Sequence, residues 1–423
     1  EIVEEKETND PFDFIAGFKS RFKVADLADK QRFSGGLVGY FAYDTVRFVE
    51  TRIGSAEGID EIETPDILLM VSEEIVVFDN LRGTISFIIN VNPAVSDAYE
   101  NAQQRLDQLQ SDLKNPAALP ELNASNTVTE KDFRHHFRQE DYERAVKRIK
   151  EYIVDGDVMQ VVLAQLMSVK FSGDPINVYR ALRYLNPSPY MVFFDLGDHH
   201  VVSASPEILA RVESGKITVR PLAGTRKRGS TDLEDLALEK ELLADAKEIA
   251  EHLMLIDLSR NDSGRVSKIG SVHVTRKMFV ERYSHVMHIA SIVESEISDD
   301  KTALDVLKAT LPVGTLSGAP KVRAMEIIDE LEKTKEQLSQ SMQTAMEMAQ
   351  LAFDYEKSKV NSDELFFSGE TNLMDIAELC EVDKLKKLFN KFNQKRDILH
   401  LLEKAISADG IQIFIGEESG HDV

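Results

Sequence analysis

The chain has 423 residues, 43% hydrophobic and 29% charged, with a formal net charge of −23. That length suffices for two or three domains with a large core. The acidic balance argues against non-specific nucleic-acid binding, which needs clustered Lys and Arg to neutralise phosphate. No apolar run reaches the roughly twenty residues of a membrane span. No basic stretch followed by an apolar one opens the chain, so a signal peptide is not expected. The single cysteine, Cys380, excludes an internal disulfide framework and fits a cytoplasmic location. The first residue is Glu1 and not Met, as expected of a fragment.

In chain order, residues 34–90 read as strands. "GGLVGYFAYD" is Gly-rich and aromatic, and "DILLMVSEEIVVFDN" and "GTISFIINV" flank the turn signal Asn80-Leu81-Arg82-Gly83. Residues 95–114 turn helical and charged. The connector "NPAALPELNASNT" suggests a boundary between a first region, 1–125, and a second, 126–332. From Glu140 a helical period carries Tyr142, Ala145, Ile149 and Ile153 on one face. "VMQVVLAQLMSVKF", "YMVFFDL", "HHVVSAS" and "KITVRPLAGT" read as strands, followed by one long helix from Leu233 to Leu258. Strands and helices come in mixed blocks, which favours an α+β fold over a doubly wound parallel sheet.

Several clusters invite chemistry. In "KEIAEHLMLIDLSRND", Glu248 and Glu251 lie three apart, on one helix face. On spacing alone that is a solvated acidic face. The apolar run Leu253–Leu258 points instead to a buried helix, where paired carboxylates suit Mg²⁺. In "RYSHVMHI", His285 and His288 offer an acid or base near neutral pH, or a structural histidine. No third ligand at zinc spacing accompanies them. In "GTLSGAPK", Gly314 and Gly318 allow close backbone approach to a ligand, and "SGAPK" opens a helix whose N–H groups can hold an anion. The P-loop pattern is not matched, because Lys321 is not followed by Ser or Thr. "SASPEIL" carries Glu207 just after a strand, and Arg226-Lys227-Arg228 reads as a solvated loop. These features suggest a magnesium-dependent enzyme acting on a small anion, without naming it.

From about Phe33 to Glu332 the chain resembles the anthranilate synthase component I family of chorismate-utilising enzymes. The resemblance rests on "GGLVGYFAYDTVRFVE", "GDVMQVVLAQ", "NPSPYMVFF", "SASPE", "RPLAGTRKRG", "EIAEHLMLIDLSRND", "RYSHVMH" and "GTLSGAPKVRAMEIIDELE". It implies conversion of chorismate and ammonia to anthranilate and pyruvate, with Mg²⁺ as cofactor and a glutamine amidotransferase subunit supplying ammonia. Carried onto this chain, it gives Glu248 and Glu251 to the metal. It gives Glu207 to protonation of the leaving hydroxyl and His288 to pyruvate elimination. It gives Thr315, with Gly314, Ser317 and Gly318, and also Ala223, Gly224 and Thr225, to the substrate. Ala223 stands where the similar aminodeoxychorismate synthases, the alternative activity, carry a lysine nucleophile. Gln160 stands where isochorismate and salicylate synthases carry a water-activating lysine. Asn186, Pro187, Ser188, Pro189, Tyr190 and Met191 resemble part of a tryptophan feedback pocket, whose usual Leu-Leu-Glu-Ser partner segment is absent.

The implied fold is α+β, with mixed or antiparallel sheets and helices, truncated at its C-terminal end and followed by a small α+β tail. The family's continuation after "AMEIIDELE", with its further metal-side glutamates and substrate-binding Tyr and Arg, is not found. Residues 333–423 instead resemble part of the bacterial heat-inducible transcription repressor, through "LFFSGETNLMDIAELCEVDKLKKLF" and "LLEKAISADGIQIFIGEESG". This reading predicts a fusion of two partial families with unpaired sheet edges, low stability and impaired turnover. It leaves a non-enzymatic oligomerisation or regulatory module as the alternative.

Overall fold

The structure, a computed structural model, describes residues 2–24, 33–54, 62–115 and 128–333. The chain divides into two compact units, Glu1–Leu331 and Glu332–Val423. The boundary expected at 125/126 lies outside the described residues, as does the tail from 334 onward. The first unit is α+β with antiparallel sheets.

Its centre is a five-stranded antiparallel sheet built around Val286–Glu296. That strand pairs on one side with Leu222–Lys227 and Lys216–Val219, and on the other with His273–Arg282. Its alternation explains the placement. Met287, Ile289 and Val293 are fully buried on one face, as a period of two requires. They pack with Ile217, Val219, Ile256 and Leu242, closing a sheet-on-helix core. His288 falls out of phase with these residues, and its strand neighbours in register are Thr225 and Glu281.

The long helix expected over Leu233–Leu258 is two helices, Asp232–Ala244 and Ala246–Gly264. Asp245 breaks it. Its backbone is extended, and its carboxylate accepts from the Lys247 and Glu248 N–H groups, capping the second helix. "VMQVVLAQLMSVKF" contributes only Gln160–Val161 and Met167–Ser168 as strand. Gln160–Val161 pairs with Gly318–Ala319 and so pins the "LSGAP" loop. A helix starting at 321 then packs on Gln139–Val154 through Ala145, Ile149, Ala324, Ile327 and Leu331. Ala145 and Ile149 are core as the period predicted, and Tyr142 packs at its edge, but Ile153 is exposed.

The expected strands of 34–90 appear as two antiparallel pairs, Gly36–Phe41 with Ile67–Ser72 and Glu74–Asp79 with Thr84–Ile89. The turn at Asn80–Gly83 closes the second, where the Asp79 carboxylate accepts from the N–H groups of Leu81 and Arg82. Tyr190–Asp195 pairs with His200–Ser205, which delivers the chain to Glu207.

Candidate active site

Glu207 sits two residues past Ser205, the last residue of its strand. The Ser205 hydroxyl donates to the Glu207 carbonyl (3.0 Å) and accepts from the Glu207 N–H (3.2 Å), fixing the turn. The carboxyl accepts from the Leu222 N–H at 3.2 Å and from the Thr315 hydroxyl at 3.4 Å. Burial pushes its pKa above the ordinary carboxylate value; the Leu222 and Thr315 hydrogen bonds and the Arg220 charge pull the other way without winning. The group is therefore biased toward the protonated, proton-donating form.

His288 faces Gly224 and Thr225. Its Nδ1 lies 3.2 Å from the Gly224 carbonyl and 3.0 Å from the Thr225 hydroxyl. A carbonyl only accepts, so Nδ1 carries the proton and Nε2 keeps its lone pair. Burial lowers the ring's pKa, and the Gly224 carbonyl opposes that shift. One group is thus shifted toward its acid form and the other toward its neutral form, the direction of separation that acid–base chemistry uses.

Gly224 joins these groups to the acidic helix. It lies at a register shift in its strand with φ of +67°, and a Cβ there would meet Ile289, Leu242 and Glu248 Oε2 at 3.1–3.3 Å. Only glycine combines that backbone with so close an approach. Glu248 is partly buried, with Arg226 as its nearest cation at 3.9 Å. Glu251, one turn on, accepts a hydrogen bond from the Gln160 amide at 3.2 Å. Gln160 in turn pairs with Ala319, across from the Thr315 loop. Glu207 thus contacts Thr315 and the Leu222 N–H, two residues before Gly224 on the same strand; Gly224 lies against His288 and Glu248, and Glu251 contacts Gln160.

The two carboxylates fit Mg²⁺. Both are hard oxygen donors, neither is bound in a close ion pair, and Mg²⁺ commonly takes one or two carboxylates and keeps water or substrate oxygen elsewhere. Among the described residues no cluster of three or more His, Cys, Asp or Glu forms a fuller set.

The structure also shows what surrounds the other expected residues. The glycines of "GTLSGAPK" are closely packed. A Cβ on Gly314 would meet Leu258 at 2.6 Å, and one on Gly318, where φ is +141°, would meet the Gln160 carbonyl oxygen at 2.1 Å. The Ser317 hydroxyl is buried and donates to the Val313 carbonyl. Lys321 is the first residue of the helix that follows the loop. It is buried against Asp262 at 2.6 Å and also donates to the Ala309 and Thr310 carbonyls. Arg226 and Arg228 are not a solvated loop. Arg226 pairs with Glu241 and Asp245, and Arg228 with Asp235. Ala223 is buried opposite Ile289. His285 stands apart from His288, its Nδ1 beside the Ser284 hydroxyl. In the Asn186–Met191 stretch, Asn186 ends the helix Pro175–Leu185, and Tyr190 pairs with Ser205 while its hydroxyl accepts from Arg211.

Sequence reading missed His252. It is fully buried, its Nε2 lies 2.7 Å from the Ser291 hydroxyl, and that hydroxyl accepts from the Met278 N–H. Burial lowers its pKa to about 4. The only signal was its place beside Glu251, on the face that turns inward.

Comparison with known proteins agrees with this geometry. Residues 3–336 match the family model of the chorismate binding enzymes. The chain is 56% identical over 335 residues to anthranilate synthase component 1 of Pseudomonas putida, covering 79% of this chain and 68% of that protein. It is 51% identical over 339 residues to the component 1 of Neisseria meningitidis serogroup B, with the same coverages of 79% and 68%. Among solved structures, anthranilate synthase component I from Streptococcus pneumoniae superposes with a TM-score of 0.68 at 39% identity, covering 77% of this chain and 71% of that one. The chain belongs to the chorismate-binding enzyme family, within its anthranilate synthase component 1 group. The family match ends at residue 336, so the repressor-like reading of the tail gains nothing from it.

Proposed function

We propose that this chain converts chorismate and ammonia to anthranilate, pyruvate and water, as its relatives' name indicates. The observation that carries the reading is the strand Leu222–Lys227, whose Leu222 N–H holds Glu207, shifted toward its acid form, and whose Gly224 lies against both His288, shifted toward its neutral form, and Glu248. Ammonia adds to the ring as the ring hydroxyl departs. Glu207 gives that hydroxyl its proton, and Thr315 orients the carboxyl by donating to its other oxygen. The amino-substituted ring then loses the proton on the nitrogen-bearing carbon as the enolpyruvyl oxygen leaves, which makes the ring aromatic. The free Nε2 of His288 is the base for that proton. Glu248 and Glu251 would hold Mg²⁺, whose chemistry there is Lewis-acid polarisation of the substrate's carboxylate.

Ala223 supports direct ammonia addition, because a buried methyl group cannot act as a nucleophile on the ring. The Gln160 amide is a poor base, which speaks against water as the nucleophile. The ammonia source is proposed to be a glutamine amidotransferase subunit, the second component that the relatives' name implies. Asn186–Met191 is proposed as part of a feedback pocket, supported by its sequence and by the pairing of Tyr190 with Ser205 just before Glu207.

The test is incubation of the purified chain with chorismate, ammonium and Mg²⁺, following anthranilate fluorescence and pyruvate together. Equal yields of the two products are expected, with loss of both on omitting Mg²⁺. An amino-substituted chorismate formed without pyruvate would point to the aminodeoxychorismate reaction. A folded chain that forms neither product overturns the reading.

A further inference from the structure

Glu207 and His288 stand on different strands, yet one side chain reaches the surroundings of both. Arg220 precedes the Leu222–Lys227 strand. Its Nη1 donates to the Pro206 carbonyl at 3.2 Å, holding the turn that carries Glu207. Its Nη2 donates to the Glu281 carboxylate and to the Tyr283 hydroxyl, the latter at 3.0 Å. The Tyr283 hydroxyl donates to the same carboxylate at 2.8 Å. Glu281 is the register neighbour of His288, and the Tyr283 ring stands edge-on to the imidazole, with centroids 5.6 Å apart and planes at 61°. The guanidinium side chain is 15% exposed, so this is an interior junction, where a multiply bonded Arg holds its geometry better than a Lys.

We infer that Arg220 is a positioning residue of the reaction, coupling the carbonyl turn behind Glu207 to the Glu281–Tyr283 wall beside His288. The inference rests on the acid and base roles proposed above. It assigns Arg220 no contact with substrate. One planar, always charged group sets the spacing of two proton-handling side chains that share no strand pairing. The charged groups around Glu207 are few. Arg220 is the cation that acts on it, Leu222 and Thr315 are neutral donors, and Asp262, which lines the same small cavity, is neutralised by Lys321. Around His288 stand the neutral Gly224 carbonyl, the Thr225 hydroxyl and Tyr283, with Glu281 across the strand.

The test combines NMR titration of the Glu207 carboxyl and the His288 imidazole with steady-state turnover, in the full chain and in Arg220→Gln, Arg220→Lys and Tyr283→Phe. Arg220→Gln is expected to move the Glu207 midpoint upward, because a cation that favoured the carboxylate is gone, and to shift the His288 signals. Its turnover falls on the order of 100-fold, with KM changed less than about threefold. Arg220→Lys keeps the charge, and so the Glu207 midpoint, but recovers only part of the turnover. Tyr283→Phe, the mildest change, shifts His288 and leaves the Glu207 midpoint in place. Titrations identical to the wild type in folded Arg220→Gln overturn the inference, as does a rise in KM alone, which would make Arg220 a substrate contact. Glu207→Gln separates the two levels. Full turnover in that variant removes the acid role, whereas the Arg220-dependent shift at His288 stands or falls independently.

Discussion

Asp262 with Lys321, which are buried, and Glu207 with His288, which are partly buried, are treated in opposite ways in this protein. Asp262 and Lys321 meet at 2.6 Å with both side chains 6% exposed, and two carbonyls take further Lys321 hydrogens. Burial pushes the Asp262 carboxyl up and the Lys321 amine down, and their mutual contact pulls each back. Glu207 and His288 receive no such partner. Their contacts are a backbone N–H, hydroxyls and a carbonyl, and burial drives one toward its acid form and the other toward its neutral form. The compensated pair locks the helix at 321 onto the end of Ala246–Gly264. The uncompensated pair is left ready to exchange protons. Compensation, more than burial, separates structure from chemistry here.

The sharpest way to break this contrast is Glu207→Gln. It keeps the shape and removes the proton, so turnover should fall about 100- to 10,000-fold with the fold retained. Melting temperature and product formation on one sample check both halves. The same substitution has a stability signature. A carboxyl with a raised folded-state pKa stabilises below its ordinary value of 4.5 and loses that contribution as pH rises through the folded value. The variant should therefore lose that alkaline-side decline in denaturant titrations; an unchanged slope would contradict the raised pKa.

Lys321→Met should act on the other pair, leaving turnover per folded molecule nearly unchanged while costing about 3–5 kcal/mol of stability by stranding Asp262. Adding Asp262→Asn should restore much of the loss. A single variant as stable as the parent in urea would show that the pair is dispensable.

Gly318→Ala comes next. It forces a side chain into positive φ and against a backbone carbonyl, for a loss above about 1 kcal/mol and a shifted Thr315 loop. Wild-type melting and turnover together would mean that the loop tolerates repacking. The mildest expectation concerns His252. Its contribution is present above the ordinary 6.5 and is lost as pH falls toward about 4, so His252→Gln should flatten the acid side of the stability curve. A curve parallel to the parent's between those values would rule that out.

Much of this was readable in the chain, for reasons that are local. The turn signal Asn80–Gly83 marked the hairpin it closes, and a three-residue spacing put Glu248 and Glu251 on one helix face. Motif order across some three hundred residues gave the family and with it Glu207, His288 and Thr315. Other features were hidden because their causes are distant in sequence. Nothing near Lys321 indicates a carboxylate 59 residues earlier, so its burial against Asp262 could not be read from the chain. Asp245 looked like a helix interior until its capping and its ion pair with Arg226 were visible. Arg220 lay unremarked within "KITVRPLAGT", although its partners are Pro206, Glu281 and Tyr283.

The sequence alone thus determined the class of elements, the acidic balance, the chemical inventory and the family. Periodicity, turn chemistry and side-chain type act within a few residues, and motif order needs no folding. Only the tertiary structure decided which charges are compensated. Burial and partnership depend on what the antiparallel sheet and its two helices bring together from segments tens of residues apart. It is that choice, neutralising Asp262 with Lys321 and leaving Glu207 and His288 to hydroxyls and backbone, that makes the buried pair a brace and the other two groups a candidate site.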